Sequence, residues 1–402
     1  MMRCAYYKWN RDDEMRLLLK VGLLSVSLLV TTAGAITANL PSIIAEYPQI
    51  NSVMIEFMMT MPSLLTILTV LFSHRLAKIV GYKSLVIFGI VLLLVAGVLP
   101  YYFHSIWLLA LSRVLFGVGI GLFHPLLFSF ATTFFEGDEL AKVIGLQSAC
   151  EGLGGMFSTF IVGLLLVNGW RNSFFVHLLA IPVLVLFMIF VPRIQVKDKP
   201  VMKHKTADQS SSPIWRQVLL VVVAMSLYMV VGVKMTAILM EKGYGSATSS
   251  SNLLALIGLG AMAAGLLFSK VTLTTKKWTI PISLLSLSLG MLLFAYSSNL
   301  LTDGVAVTLC GFSARTFFPF LMNQVNQNDD GNKERNTSLL LIGNNIAIAF
   351  APIKIAALQA INPLDGNVGL LISGALILIV IAAMSAVKIY LKASLSTSTE
   401  IN

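Results

Sequence analysis

Twelve stretches of the chain are long and apolar enough to cross a bilayer, and short polar turns separate them. A run of about 20 apolar residues in α-helical form covers a hydrocarbon core of about 30 Å. The approximate limits are Leu17 to Ile43, Ser52 to Ser73, Ser84 to Phe103, Ile106 to Phe130, Val143 to Val167, Ser173 to Val191, Val218 to Met240, Asn252 to Val271, Trp278 to Tyr296, Gly304 to Met322, Ser338 to Ile361 and Val368 to Tyr390. Numbered in this order, they predict an all-α membrane protein with twelve transmembrane helices. The longest polar interruption, Arg193 to Ser212, contains Lys197-Asp-Lys-Pro200 and has little to bury, which predicts a flexible linker. It divides the helices six and six, into an N-terminal bundle of residues 1–192, a linker of residues 193–214 and a C-terminal bundle of residues 215–402.

The two halves resemble each other. Leu71-Phe-Ser73 recurs as Leu267-Phe-Ser269, a shift of 196, while Gly117 and Phe123-His-Pro125 recur as Gly311 and Phe317-Phe-Pro319, a shift of 194. The same shift carries Glu136-Gly-Asp138 onto Asp330-Gly-Asn332 and Glu151 onto Asn345. A near-constant offset across two helices and a loop predicts two pseudo-symmetric six-helix bundles, an architecture of secondary transporters.

Composition agrees with the pattern. The chain is 57% hydrophobic and 11% charged, far from the make-up of a soluble domain of 402 residues. Its net charge of +10 follows topology. An N-terminus placed inside puts the Lys and Arg from Arg3 to Lys392 on the cytoplasmic side, apart from Arg171 and Lys242 and the four at membrane depth, Arg113, Lys234, Arg315 and Lys354. The basicity therefore predicts orientation, with both termini cytoplasmic, and no nucleic-acid partner. Cys4, Cys150 and Cys310 have neither metal-ligand nor redox spacing, and no metal or cofactor is expected. The five tryptophans sit near predicted membrane boundaries, as an aromatic belt does. No His-Glu-x-x-His, Gly-x-Ser-x-Gly or Gly-x-x-x-x-Gly-Lys series is present, which argues against an enzyme or direct use of ATP.

The segment Arg113-x-x-x-Gly117-x-Gly119-x-Gly121 with Pro125, the Gly169-Trp170-Arg171 entry to helix 6 and Asn39-Leu40-Pro41 in helix 1 resemble the major facilitator superfamily, and within it the bacterial twelve-helix drug:proton antiporters. Two places depart from the family's pattern. In the loop after helix 2, Lys78 stands where the family has an acid, with Gly81 close by, and in helix 5 Cys150-Glu151 replaces Gly-Pro before Gly154 and Gly155. The resemblance implies a monomer in the cell membrane that moves a small organic solute by alternating access, most simply as proton-coupled export of a drug-like compound or metabolite. It implies helix-packing or gating roles for Gly117, Gly121, Pro125, Gly154, Gly155, Lys78 and Gly81.

Ionisable residues at membrane depth are functional candidates. They are Glu56, Arg113, Glu151, Lys234, Arg315 and Lys354. Glu151 and Glu56 are the candidates for proton coupling, and Arg113 is the expected partner of Glu151. Arg113, Arg315, Lys234 and Lys354, with Asn344 and Asn345, are the candidates for lining a substrate path. Four cations against two acids favour an anionic or neutral solute, so an uptake carrier or exchanger for an organic anion is the alternative. A transport-inactive sensor or scaffold of the same fold is the remote one.

Overall fold

The structure is a computed structural model and describes residues 2–193, 214–327, 333–362 and 364–399. The predicted linker and the Asp330-Gly-Asn332 turn lie outside the described residues, except for residues 193 and 214 at the linker's ends. The α-helices are α1 (Met2–Ser27), α2 (Leu40–Glu46), α3 (Ser52–Val80), α4 (Tyr82–Tyr102), α5 (Ile106–Phe134), α6 (Gly137–Leu165), α7 (Ala180–Phe190), α8 (Trp215–Glu241), α9 (Ala247–Thr275), α10 (Thr279–Tyr296), α11 (Leu300–Gln327), α12 (Lys333–Ala349), α13 (Ala351–Ile361) and α14 (Gly366–Thr399). No strand occurs among the described residues.

Ten helical stretches are long and apolar enough to cross a membrane, or eleven if the bent pair α12 and α13 forms one span. The twelve predicted from hydropathy thus meet ten or eleven, for two physical reasons. One is the 61° bend between α12 and α13, where Pro352 withholds an N–H from the hydrogen-bond ladder. The other is that Ala247–Tyr296 forms one helical stretch of 50 residues, because the connection Lys276–Trp278 is itself a turn of 3-10 helix. Lys276 has a φ of 47°, a left-handed break within that stretch. Two other spans are irregular inside: Thr32–Asn39 and Trp170–Leu179 are 3-10 helix.

The chain forms two compact units. One comprises Met1–Ile36 and Met61–Val201, the other Thr37–Thr60 and Met202–Asn402. Helix α3 contributes to both, and its change of unit falls beside Pro62, which lies inside the helix.

Within a bilayer, helices associate through close packing because lipid tails are as apolar as side chains. Each unit uses glycine for this. In the first, a Cβ on Gly117 of α5 would stand 2.4 Å from the Pro62 carbonyl oxygen of α3. In the second, a Cβ on Gly311 of α11 would stand 2.1 Å from the Ile257 carbonyl oxygen of α9. The two contacts are related by shifts of 194 (117 to 311) and 195 (62 to 257), so the sequence repeat is also a repeat of helix packing. The first unit's core is built around Phe116, Phe123 and Phe130 of α5, with Ile90 and Leu93 of α4 and Phe187 of α7.

Polar contacts close the ends of helices. Gly81 joins α3 to α4 at a φ of 96°, a backbone that side chains with a Cβ rarely adopt, and Lys78 lies in the last turn of α3. Lys20 Nζ is 2.8 Å from Glu139 in the first turn of α6, and Arg16 is 3.4 Å away. The hydrogen bond from Lys20 holds the Glu139 carboxyl below the usual carboxylate range. The tie is therefore present at neutral pH and is released as the pH falls through that lowered value.

Candidate functional site

In the first unit, α5 and α6 form an antiparallel pair around the Phe135–Glu136 turn. Glu151 of α6 and His124 of α5 meet there, with Nε2 and Oε1 3.1 Å apart, and both side chains are mostly buried. Pro125 follows His124 inside α5. Two features fix the height and rotation of Glu151. A Cβ on Gly154 would stand 1.9 Å from the Leu28 carbonyl oxygen, and the Thr31 hydroxyl donates to the Glu151 carbonyl. Gly155 lies against the same Thr31 side chain. The carboxylate is thus held beside the interrupted stretch of the first span, with a titratable imidazole as its partner.

Arg113 has other neighbours. Its side chain is fully buried, and Nε and Nη2 donate to Ser112 Oγ at 3.3 and 2.9 Å. Ser112 in turn donates to the Ala96 carbonyl of α4. The guanidinium lies over Phe116 and Phe174, 5.0 and 5.2 Å from the ring centroids. His177 packs on Phe116 and fills the space that a side chain on Gly97 would need. The expected Arg113–Glu151 pairing is therefore replaced by two separate sites: a cation held by aromatic faces and a carboxylate held by histidine. Gly117 and Gly121 pack on α3, against Pro62 and against Thr66 and Thr69.

In the second unit, Glu56 of α3 and Lys234 of α8 form a buried ion pair, with side chains 5% and 12% exposed. Nearby contacts tie each of these two helices to further elements of the same unit. Thr60 donates to the Ala349 carbonyl at 2.9 Å, Thr236 donates to the Ala38 carbonyl at 3.1 Å, and Phe57 packs on Phe350. Lys354 of α13 donates to Ser226 of α8 at 2.6 Å and to the carbonyls of Ile346 and Ala347 at 3.3 Å. Its ammonium therefore serves the carbonyls that the bend exposes at the end of α12, a favourable place for a cation. Asn345 bonds the Leu341 carbonyl of its own helix, whereas the buried Asn344 Oδ1 has no hydrogen-bond partner among the described residues. Arg315 of α11 is exposed and lies within electrostatic reach of Tyr228 of α8.

Sequence reasoning restricted to Asp, Glu, Lys and Arg missed His124 and His177. It also missed a network at the ends of α8, α10 and α11. There Asp303, with no exposed surface, receives Lys242 at 3.2 Å and the Tyr244 hydroxyl at 2.9 Å, and Lys242 also reaches Ser297. Removing one partner of a buried pair leaves the other charge uncompensated, a loss of about 3–5 kcal/mol. Asp303→Ala is therefore expected to lower the melting temperature in detergent markedly, and a thermal-shift assay by size-exclusion chromatography measures it.

Among the described residues, no group of three His, Cys, Asp or Glu side chains is placed to hold a metal ion. The charged groups have sorted themselves: Glu151 has His124, Glu56 has Lys234 and Asp303 has Lys242. Arg113, Arg315 and Lys354 have no carboxylate within ion-pair distance among the described residues.

Comparison with known proteins gives one family and one fold. The chain matches the family profile described as Major Facilitator Superfamily over residues 22–352. No curated protein matches the sequence significantly. The nucleoside transporter NupG superposes with a TM-score of 0.71 at 11% identity, covering 92% of this chain and 98% of that one. A POT family transporter in complex with 5-aminolevulinic acid gives 0.70 at 13% identity, covering 92% and 95%. The human organic anion transporter MFSD10 (TETRAN) gives 0.65 at 14% identity, covering 92% and 99%.

Proposed function

The chain belongs to the Major Facilitator Superfamily, and on that premise we propose that it exchanges a small organic anion for protons, exporting the anion across the cell membrane by alternating access. The observation that carries the substrate class is the charge that remains after pairing. Both acids singled out at membrane depth are matched by His124 or Lys234, and Arg113 and Lys354 are spent on aromatic faces and on carbonyls, which leaves Arg315, exposed and with no carboxylate partner among the described residues. A cation at membrane depth without an acid is suited to hold an anion. An organic anion transporter among the proteins of the same fold supports this reading.

In the proposed cycle Glu151 takes up and releases the coupled proton, with His124 as the group that shares it. Arg315, exposed and beside Tyr228, is the first contact for the solute, and the orphan Asn344 Oδ1 offers an acceptor along its path. Arg113, sealed between aromatic rings, positions α5 against α4. The arrangement we propose has twelve spans, with α9 and α10 crossing separately, six-helix bundles of residues 1–192 and 215–402, a linker of residues 193–214, cytoplasmic termini and a monomeric protein in the cell membrane. A second reading, export of a neutral drug-like compound, is favoured by the Arg113-to-Pro125 series.

The test uses purified protein in proteoliposomes carrying a pH gradient, with internal pH followed as organic anions, neutral drugs and lipophilic cations are added in turn. Proton movement is expected with anions and is expected to be lost in Arg315→Ala. Movement released only by neutral drugs or cations would overturn the anion reading. The gradient orientation that drives solute accumulation separates export from uptake.

A further inference from the structure

Three elements of the first unit meet around Arg113: α4, α5 and the 3-10 stretch Trp170–Leu179. None of them contains Asp or Glu. Arg113 lies seven residues into α5 from Ile106, about 10 Å along the helix, where a charge is costly unless something offsets it. Its donors can be followed one by one. Nε and Nη2 both donate to Ser112 Oγ, whose own proton goes to the Ala96 carbonyl. Nη1 is buried and has no hydrogen-bond partner among the described residues. Glu139 and Glu151 of α6 are engaged elsewhere, with Lys20 and His124.

A second orphaned group shares the same two rings. His177, 2% exposed, packs on Phe116 and Phe174 with ring centroids 4.7 and 6.5 Å apart, and the guanidinium lies over both. Its Nε2 is likewise buried without a partner among the described residues, and Arg113 lies within its electrostatic reach. The imidazole is fixed from behind, because its Cβ, Cγ and Cδ2 take the place of a side chain on Gly97. Two such groups side by side point to a bound water or ion, and charge decides between them. A water satisfies Nη1 but leaves the guanidinium unneutralised. An anion accepts from Nη1, accepts from the Nε2–H tautomer of His177, and compensates the buried charge. Phe116 and Phe174 have no exposed surface, and so closed a site with one guanidinium suits a monatomic ion better than a carboxylate or phosphate. We infer that Arg113 Nη1 and His177 Nε2 hold a chloride ion, a structural counter-ion separate from the solute proposed at Arg315. The Trp170–Leu179 stretch, whose 3-10 turns have poorer hydrogen-bond geometry than an α-helix, is the part of the wall that opens to admit it.

Thermal unfolding of the full-length protein in detergent tests this, in sodium chloride, bromide or gluconate at equal ionic strength. Chloride and bromide are expected to raise the melting temperature saturably, whereas gluconate, too large for the site, is not. Arg113→Met removes the charge and the site together and is expected to abolish the halide effect. His177→Leu is expected to move its midpoint to about tenfold higher chloride or more, the scale of one lost hydrogen bond to a charged group. Should Arg113→Met fail to fold, His177→Gln, which keeps an N–H donor, is expected to retain the effect that His177→Leu weakens. Arg315→Ala, which removes the proposed solute contact, is expected to leave the halide effect unchanged, so that this site and the transport reading fail separately. Crystals grown in bromide are expected to show an anomalous peak against both Arg113 and His177. Equal melting temperatures in chloride and gluconate overturn the proposal, since a bridging water is then the occupant. A bromide peak elsewhere, or a halide effect that survives Arg113→Met, overturns it as well.

Discussion

Proton-driven transport is expected to fall by about 100-fold or more in Glu151→Gln, the scale of loss when a group that transfers a proton is removed. Glutamine keeps the length of the side chain and a hydrogen bond to His124, so the geometry between α5 and α6 is retained while the titration is removed. Counterflow, the exchange of labelled for unlabelled solute at equal pH on both sides, needs no net proton and is expected to persist. The contrast between the two assays separates coupling from folding. Accumulation still driven by a pH gradient in this variant would place the coupling proton elsewhere. His124→Gln is the companion change. Because His124 is the side chain that meets the Glu151 carboxylate, at 3.1 Å, it is expected to slow proton-driven transport and leave coupling in place.

The position of His124 shows how far the sequence was legible. Glu151 and Arg113 were each recognisable as ionisable groups among glycines, but their partners depend on the register of two antiparallel helices. Glu151 lies 15 residues beyond Glu136, whereas Arg113 lies 22 residues before Phe135 and His124 only 11. Counting from the turn would have selected His124. Counting from the apolar boundaries also selects it, since Glu151 is 8 residues past Val143 and His124 6 before Phe130, against 17 for Arg113; His124 was missed because only Asp, Glu, Lys and Arg were considered.

The helices themselves were legible because a span needs only length and hydropathy, and the described helices follow the predicted stretches closely. What hydropathy does not encode is backbone continuity. The 3-10 interruptions at Thr32–Asn39 and Trp170–Leu179 contain no proline to announce them, and the bend at Phe350 is announced only by Pro352. The repeat was more informative than either, since the shift of 194 that aligns Gly117 with Gly311 aligns the helix backbones they touch to within one residue. Partner choice for the cations was least legible. Lys354 reads as a substrate contact until the bend supplies it with the carbonyls of Ile346 and Ala347.

The pair Glu56–Lys234 is expected to show opposite effects in single and double variants. Either Glu56→Gln or Lys234→Met alone leaves one buried charge without its partner, and Glu56 Oε2 already has no other hydrogen-bond partner among the described residues. A loss of about 3–5 kcal/mol of stability is expected for each. The double variant removes both charges and is expected to recover most of that loss, because replacing a buried pair by groups of similar volume is often neutral. Thermal shifts of the four proteins make a double-mutant cycle, and a coupling energy near zero would show that the two residues do not act as a pair. The stable double variant then isolates function. Glu56 is the second candidate for the coupled proton, and taking up that proton would break its pairing with Lys234. Transport by the double variant is accordingly expected to be at least about tenfold slower, a change of about 1.4 kcal/mol in the barrier. Full activity in that protein would make the pair a structural tie of the second unit and leave Glu151 as the coupling carboxylate.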